Sequence, residues 1–208
     1  MPDTISILIV DDHPALRVGL GTILSGQPDM RVVAEAGDVP EALAQCARHQ
    51  PDVVLMDLRL PGGGGVEATL AIRKRWPATH VLIVTVYDGD EDIYRALQAG
   101  ASGYVLKDLT SAELVTAVRT IHRGGRVMPP DAAARQRERS RRKDLSPREL
   151  EVLQHLVNGL SNKEIATALA IGDESVKTHL RDLFMKLGVT SRTQAAIEAI
   201  RQGIIHLD

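Results

Sequence analysis

The sequence predicts an α/β doubly wound fold, a five-stranded parallel sheet with helices on both faces, followed by a linker and a small all-α unit of four helices. Three observations carry this. Short apolar runs alternate strictly with helical stretches, five times over, within residues 1–125. The run Val53-Val54-Leu55-Met56 is continuously apolar, as suits a strand buried on both faces, and it ends on Asp57. From Leu145 onward the hydrophobic period is helical throughout.

The elements follow in order. Ile5 to Val10 read as the first strand, with Asp11 and Asp12 directly after it. Pro14 suits the first turn of a helix through about Leu24. Arg31 to Glu35 read as strand two, Glu41 to Arg48 as helix two and Val53 to Met56 as strand three. Helix three covers Val66 to Arg75 and is stopped by Trp76-Pro77. His80 to Thr85 is strand four, Glu91 to Ala99 helix four, and Ser102 to Leu106 strand five, ending at Lys107. Thr110-Ser111-Ala112-Glu113 is a capping box that opens helix five, which runs to about His122. Gly124-Gly125 breaks the pattern, and residues 126–144 read as a linker rich in arginine.

Composition bounds the possibilities. The 208 residues suffice for two small domains, and aromatics make up only 2%, so the cores must be aliphatic. No apolar run approaches the roughly 20 residues of a membrane span, and no signal peptide is expected. Cys46 is the only cysteine, so no internal disulfide is possible and a cytoplasmic location is expected. The net charge of −2 conceals an asymmetry. Residues 1–125 hold 11 basic and 16 acidic side chains, residues 126–144 hold 7 and 3, and residues 145–208 hold 7 and 8. The acidic first part suits a cation site. The last part is not basic overall, so any attraction to nucleic acid has to come from where its charges are placed. The linker arginines fit both contacts to DNA phosphates and a solvated tether.

In a parallel sheet all strand carboxyl ends lie along one edge, where ligands bind. Asp11, Asp12, Asp57, Thr85 and Lys107 all fall at such ends. Clustered carboxylates repel one another and call for a hard divalent cation such as Mg²⁺. An aspartate can act as a nucleophile and become an aspartyl-phosphate, with the metal and an ammonium stabilising the transferred group. The roles are then Asp57 nucleophile, Asp11 and Asp12 metal ligands, Lys107 counter-charge, and Thr85 hydrogen-bond partner of the phosphoryl group.

Residues 1–125 resemble the receiver domains of bacterial two-component response regulators. Asp11-Asp12, Leu55-Met56-Asp57, Pro61-Gly62, Thr85 and Gly103-Tyr104-Val105-Leu106-Lys107 carry the resemblance. It implies a flavodoxin-like receiver, phosphorylation of Asp57 by a sensor histidine kinase, and a requirement for Mg²⁺. It also implies that the backbone carbonyl of Arg59 joins Asp11, Asp12 and Asp57 as a metal ligand, and that Tyr104 changes rotamer when the threonine hydroxyl moves. Three departures stand out: the unbroken run Gly62 to Gly65, expected to be flexible; Val86, expected to narrow access to Asp57; and Asp108 where many receivers have proline.

In residues 145–208, Ser146-Pro147-Arg148-Glu149 and Ser161-Asn162-Lys163-Glu164 are capping boxes at the starts of two helices. Gly172 marks a turn before a third helix, Glu174 to Leu187, and Ser191 starts a fourth that ends near Gly203. Two short helices joined by a turn have the form of a helix-turn-helix reader. Val176, Leu180, Leu183 and Leu187 form the inward stripe, leaving Lys177, Thr178 and Arg181 on an exposed face suited to base edges. Ser161, Asn162, Lys163, Lys186 and Arg192 are candidates for phosphate contacts, and Asp182 would repel phosphates nearby.

These residues, with Lys186-Leu187-Gly188-Val189, resemble the LuxR-type domain of NarL/FixJ-type response regulators. The resemblance implies a regulator that binds double-stranded promoter DNA at paired half-sites, acts as a homodimer when phosphorylated, and is not an enzyme beyond its own phosphotransfer and dephosphorylation. Two other readings stay open on the residues: a phosphotransferase acting on small molecules, and a DNA-binding protein indifferent to phosphorylation.

Overall fold

The computed structural model describes residues 4–129, 139 and 144–206. Most of the predicted linker therefore lies outside the described residues. The chain divides into two compact units, one carrying the sheet and one carrying the last four helices.

The sheet is formed by β1 (Ile5–Val10), β2 (Met30–Ala36), β3 (Val53–Met56), β4 (His80–Thr85) and β5 (Gly103–Leu106), in the order β2-β1-β3-β4-β5 and parallel throughout. Side chains alternate across it. Leu8, Val10, Val54, Met56, Val81 and Ile83 face α2 (Val39–His49), α3 (Gly65–Arg75) and α4 (Asp90–Gln98). Ile7, Ile9, Val53, Leu55, Leu82 and Val84 face α1 (Pro14–Ser25) and α5 (Ser111–His122). Two cores, one on each face, explain why the central strands read as continuous apolar runs.

Local chemistry fixes the helix starts. Asp38 caps α2 by accepting from the Glu41 amide, and Pro40 fits in the first turn, where no amide donor is needed. The helix therefore begins earlier than the predicted Glu41. The Thr110 capping box opens α5 as expected, both of its reciprocal bonds being present. The sheet unit also runs past the predicted break at Gly124-Gly125. The Tyr104 amide donates to the Val127 carbonyl at 2.8 Å, and Val127 bridges Gly103 on the outer edge of β5.

The loop after β3 is more constrained than its glycine run suggests. Gly62 and Gly63 take φ of 81° and 132°, the region open to glycine. Gly65 answers a different need: a Cβ there would stand 1.9 Å from the Asp57 carbonyl oxygen.

The second unit comprises α6 (Pro147–Val157), α7 (Asn162–Ala168), α8 (Asp173–Leu187) and α9 (Arg192–Arg201). Ser146 and Ser161 form the predicted capping boxes with Glu149 and Glu164. Val152, Leu153, Leu156, Ile165, Val176, Leu180, Leu183, Ala195 and Ala199 make one core. In the turn between α7 and α8 the left-handed residue is Ala170, at φ 54°, and not Gly172, which is the extended N-cap of α8.

Gly65→Ala is expected to destabilise the sheet unit by about 3 kcal/mol, since backbone must move to admit the methyl group. Gly64→Ala, whose methyl would press only on the movable end of Glu67 and lie at ordinary contact distance, 3.5 Å, from the Leu58 carbonyl, is expected to cost under about 1 kcal/mol. Denaturant midpoints of the two variants test the contrast.

Candidate phosphoacceptor site and nucleic-acid interface

The carboxyl ends of β1, β3 and β5 bring Asp11, Asp57 and Lys107 together. The Lys107 ammonium lies 2.6 Å from Asp11 Oδ2 and 2.7 Å from Asp57 Oδ2, so one cation bridges two carboxylates. Asp11 and Asp57 are 2% and 5% exposed. Asp57 Oδ1 accepts from the Leu58 amide at 2.7 Å, which leaves its carboxylate held at both oxygens.

Burial raises the Asp57 carboxyl above the ordinary aspartate range, the Lys107 hydrogen bond and charge pull it back, and the Asp11 charge adds to the rise. For Lys107, burial works against the ammonium, but the hydrogen bonds and charges of Asp11 and Asp57 outweigh it and hold its pKa above the ordinary lysine value.

Asp12 sits at the exposed rim, 2.7 Å from the Nδ1 of His13. The His13 amide in turn donates to Asp11 Oδ1 at 2.8 Å. Ligand atoms of Asp11, Asp12, His13 and Asp57 all lie within 4.8 Å of one another. His13 was not foreseen as part of this group, although its place directly after two aspartates was a usable signal. Arg17 is a second unforeseen member. Its guanidinium donates to the Asp11 carbonyl at 2.5 Å and pairs with Glu35, fixing the loop that carries the acids. The donor set is dominated by carboxylate oxygens, which suits a hard divalent cation of the Mg²⁺ class.

Thr85 stands on the same edge, buried, with its hydroxyl engaged by backbone. It accepts from the Tyr87 amide at 3.3 Å. Tyr104 is fully buried, and its hydroxyl donates to the Tyr87 carbonyl at 2.6 Å. Tyr87 thus joins the two residues expected to move together, a role that no motif in the sequence marks. The Arg59 guanidinium lies over the Tyr87 ring, 5.7 Å from its centroid. Val86 is 67% exposed, so it points outward at the rim of the site.

In the helical unit, Lys177, Thr178 and Arg181 occupy the exposed face of α8, opposite buried Val176, Leu180 and Leu183. Lys163 is exposed near the start of α7. Two expected phosphate contacts are engaged elsewhere. The Lys186 ammonium lies 2.6 Å from Oε2 of buried Glu149 and also donates to the Asp144 carbonyl, tying α8 to the start of α6. Arg192 donates to the carbonyls of Leu156 and Leu160. Both cations close the packing of this unit. Glu149 is also the capping-box acid of α6. Burial would raise its carboxyl, but Lys186 and the Ser146 amide and hydroxyl outweigh that and hold it below the usual range.

Residues 7–119 match the family described as response regulator receiver domain. The chain is a response regulator. Residues 143–199 match the family described as bacterial regulatory proteins, luxR family, so a receiver domain is followed by a LuxR-type DNA-binding domain. The chain is 40% identical to the response regulator protein VraR of Staphylococcus aureus over 207 residues, covering 97% of this chain and 99% of that one. It is 39% identical to the transcriptional regulatory protein LnrK of Bacillus subtilis over 216 residues, covering 96% and 98%. Among solved structures, the response regulator ChrA of a heme-sensing two-component system aligns over 97% of this chain and 99% of that chain, at 41% identity and a TM-score of 0.57. Among the described residues no helix is long and apolar enough to cross a membrane.

The receiver site has a definite pH signature. Asp57 is raised in the fold, so the native state favours its protonated form. Its contribution to stability is full below the ordinary carboxylate range, about pH 4, and is lost as pH rises through the raised value. In the presence of a chelator, Asp57→Asn should therefore gain stability relative to wild type as pH rises toward neutrality. A gap that narrows over that range would refute the assignment. In the LuxR-type domain, Lys186→Ala is expected to cost about 3 kcal/mol of stability by stranding a buried carboxylate. Adding Glu149→Gln should recover part of that loss in thermal unfolding.

Proposed function

We propose that Asp57 is the phosphoacceptor of this response regulator and that its phosphorylation promotes dimerisation and sequence-specific binding to promoter DNA. The observation that carries the reading is the Lys107 ammonium seated on both Asp57 and Asp11 at the sheet edge. A nucleophilic carboxylate needs a fixed counter-charge beside the developing charge of a transferred phosphoryl group, and this cation is already in place.

The chemistry assigned to the site is simple. Asp57 attacks the phosphorus of a phosphohistidine on a sensor histidine kinase. The new P–O bond forms as the P–N bond breaks, and the imidazole leaves. Asp11, Asp12, Asp57 and the Arg59 carbonyl would hold Mg²⁺, which when bound neutralises the acids and the phosphoryl oxygens. Asp57 is held for attack by the Leu58 amide and Lys107. Thr85 would leave the Tyr87 amide for the phosphoryl group. That shift would also disturb the Tyr87 carbonyl on which the Tyr104 hydroxyl rests, so Thr85, Tyr87 and Tyr104 form the proposed relay.

Residues 1–125 are assigned as the receiver, whose sheet edge extends to Val127, the rest of 126–144 as the basic linker and 145–208 as the DNA-binding domain. Lys177, Thr178 and Arg181 are assigned to base edges, with Lys163 at a phosphate. A cytoplasmic location, paired half-sites and a homodimer complete the reading. Membership of a family of transcription regulators favours a regulator over an enzyme acting on small molecules.

Adding a small acyl phosphate with Mg²⁺ should raise the dimer fraction and tighten promoter binding at least tenfold in wild type and leave Asp57→Asn unchanged. Sedimentation and DNA titration check both. Equal responses in the two proteins would remove the phosphoacceptor assignment.

A further inference from the structure

α8 carries an acid where a DNA-reading helix would be expected to carry only cations and neutral groups. Glu174 lies in its first turn, with a side chain 85% exposed. Relative to it, Lys177, Thr178 and Arg181 fall at the third, fourth and seventh positions, which places all four on one face. The N-terminal residues of a recognition helix are the ones that reach base edges.

Two contacts give Glu174 a defined relation to its neighbours. Its Oε1 accepts from the Lys177 ammonium at 2.6 Å, with Asp173 a second, longer partner at 3.4 Å. These acids hold the Lys177 pKa above the ordinary lysine value, so the ammonium stays charged. The Thr178 hydroxyl donates to the Glu174 backbone carbonyl at 3.0 Å, which commits that hydroxyl to the helix.

The geometry points to Glu174 as a specificity residue that reads, together with Lys177, a single G·C base pair in each half-site. This rests on the DNA-binding reading above and deepens it. In the major groove a G·C pair presents the N7 and O6 acceptors of guanine beside the N4 donor of cytosine. An ammonium next to a carboxylate is the complementary pattern: Lys177 donates to guanine while Glu174 accepts from cytosine. Lysine alone accepts other partners, because adenine N7 and thymine O4 are acceptors too. The carboxylate excludes pairs that put an acceptor opposite it, since its charge would be desolvated without a donor.

The test is selection from a randomised duplex library, by the full chain with Mg²⁺ and an acyl phosphate, for wild type, Glu174→Ala and Glu174→Gln. Glu174→Ala is expected to lose about tenfold discrimination at one base pair per half-site and to leave the other positions unchanged. Glu174→Gln is expected to move the preference at that position toward adenine, whose N6 and N7 a glutamine amide can meet. If both variants instead bind all duplexes more tightly by a similar factor, with a steeper salt dependence, Glu174 is only a charge opposing phosphates and the inference fails. Unchanged preference in both variants overturns it as well. Wild type that selects no sequence at all would instead overturn the DNA-binding reading itself, a distinguishable result.

Discussion

The Lys107 ammonium shared by Asp11 and Asp57 is the constraint on which the receiver depends. Two carboxylates at 2% and 5% exposure would repel each other with little water to screen them. A single cation at 2.6 and 2.7 Å makes their proximity tolerable. The three residues come from three different strands, so the pairing holds only while β1, β3 and β5 end in register along one edge. The two aliphatic cores that cover the sheet keep those ends fixed. Burial at this edge raises the Asp57 carboxyl above its ordinary value against the pull of the Lys107 ammonium, so the site responds to any new charge delivered beside it.

The response to such a charge is laid out in hydrogen bonds. Thr85 Oγ1, the Tyr87 backbone and the Tyr104 hydroxyl form a chain from the sheet edge into the core. The Tyr104 amide faces the opposite way and holds Val127 on the outside of β5. Tyr104 therefore sits between the loop that follows Thr85 and the backbone that leads out of the receiver. A change at Tyr104 is one backbone hydrogen bond away from Val127.

Much of this was legible in the sequence, and the failures have a common cause. Strand ends were readable because a buried parallel strand is a continuous apolar run and its first polar residue marks the edge, as with Asp57 after Met56. The stripe of Val176, Leu180 and Leu183 fixed which face of α8 is exposed. Identity does not reveal a long side chain's partner, however. Lys186 and Arg192 looked like free surface cations, and their true partners, Glu149 and two backbone carbonyls, lie more than thirty residues away in the chain. Val127 was assigned to a linker because one bridge on a sheet edge leaves no periodicity. The glycine run looked uniform, whereas Gly65 is dictated by a carbonyl of β3's own end and Gly62 and Gly63 by left-handed backbone.

The ion pairs of the DNA-binding domain limit the charge it presents to phosphates. With Lys186 and Arg192 committed inside the fold, and with Arg148 and Arg201 paired to Glu151 and Glu198, few cations remain on the surface for phosphates. Exposed pairs such as these contribute little to stability, so they can be exchanged for phosphate at small cost, but each exchange returns an acid to the solvent. On the proposed reading, the described surface cations of one copy would neutralise few phosphates and contribute little affinity by counterion release. Joining two copies makes the second contact effectively intramolecular and multiplies a weak affinity without any new contact. On the proposed function, pairing of two such domains would then govern binding, and pairing is the quantity that the phosphorylated receiver is proposed to control.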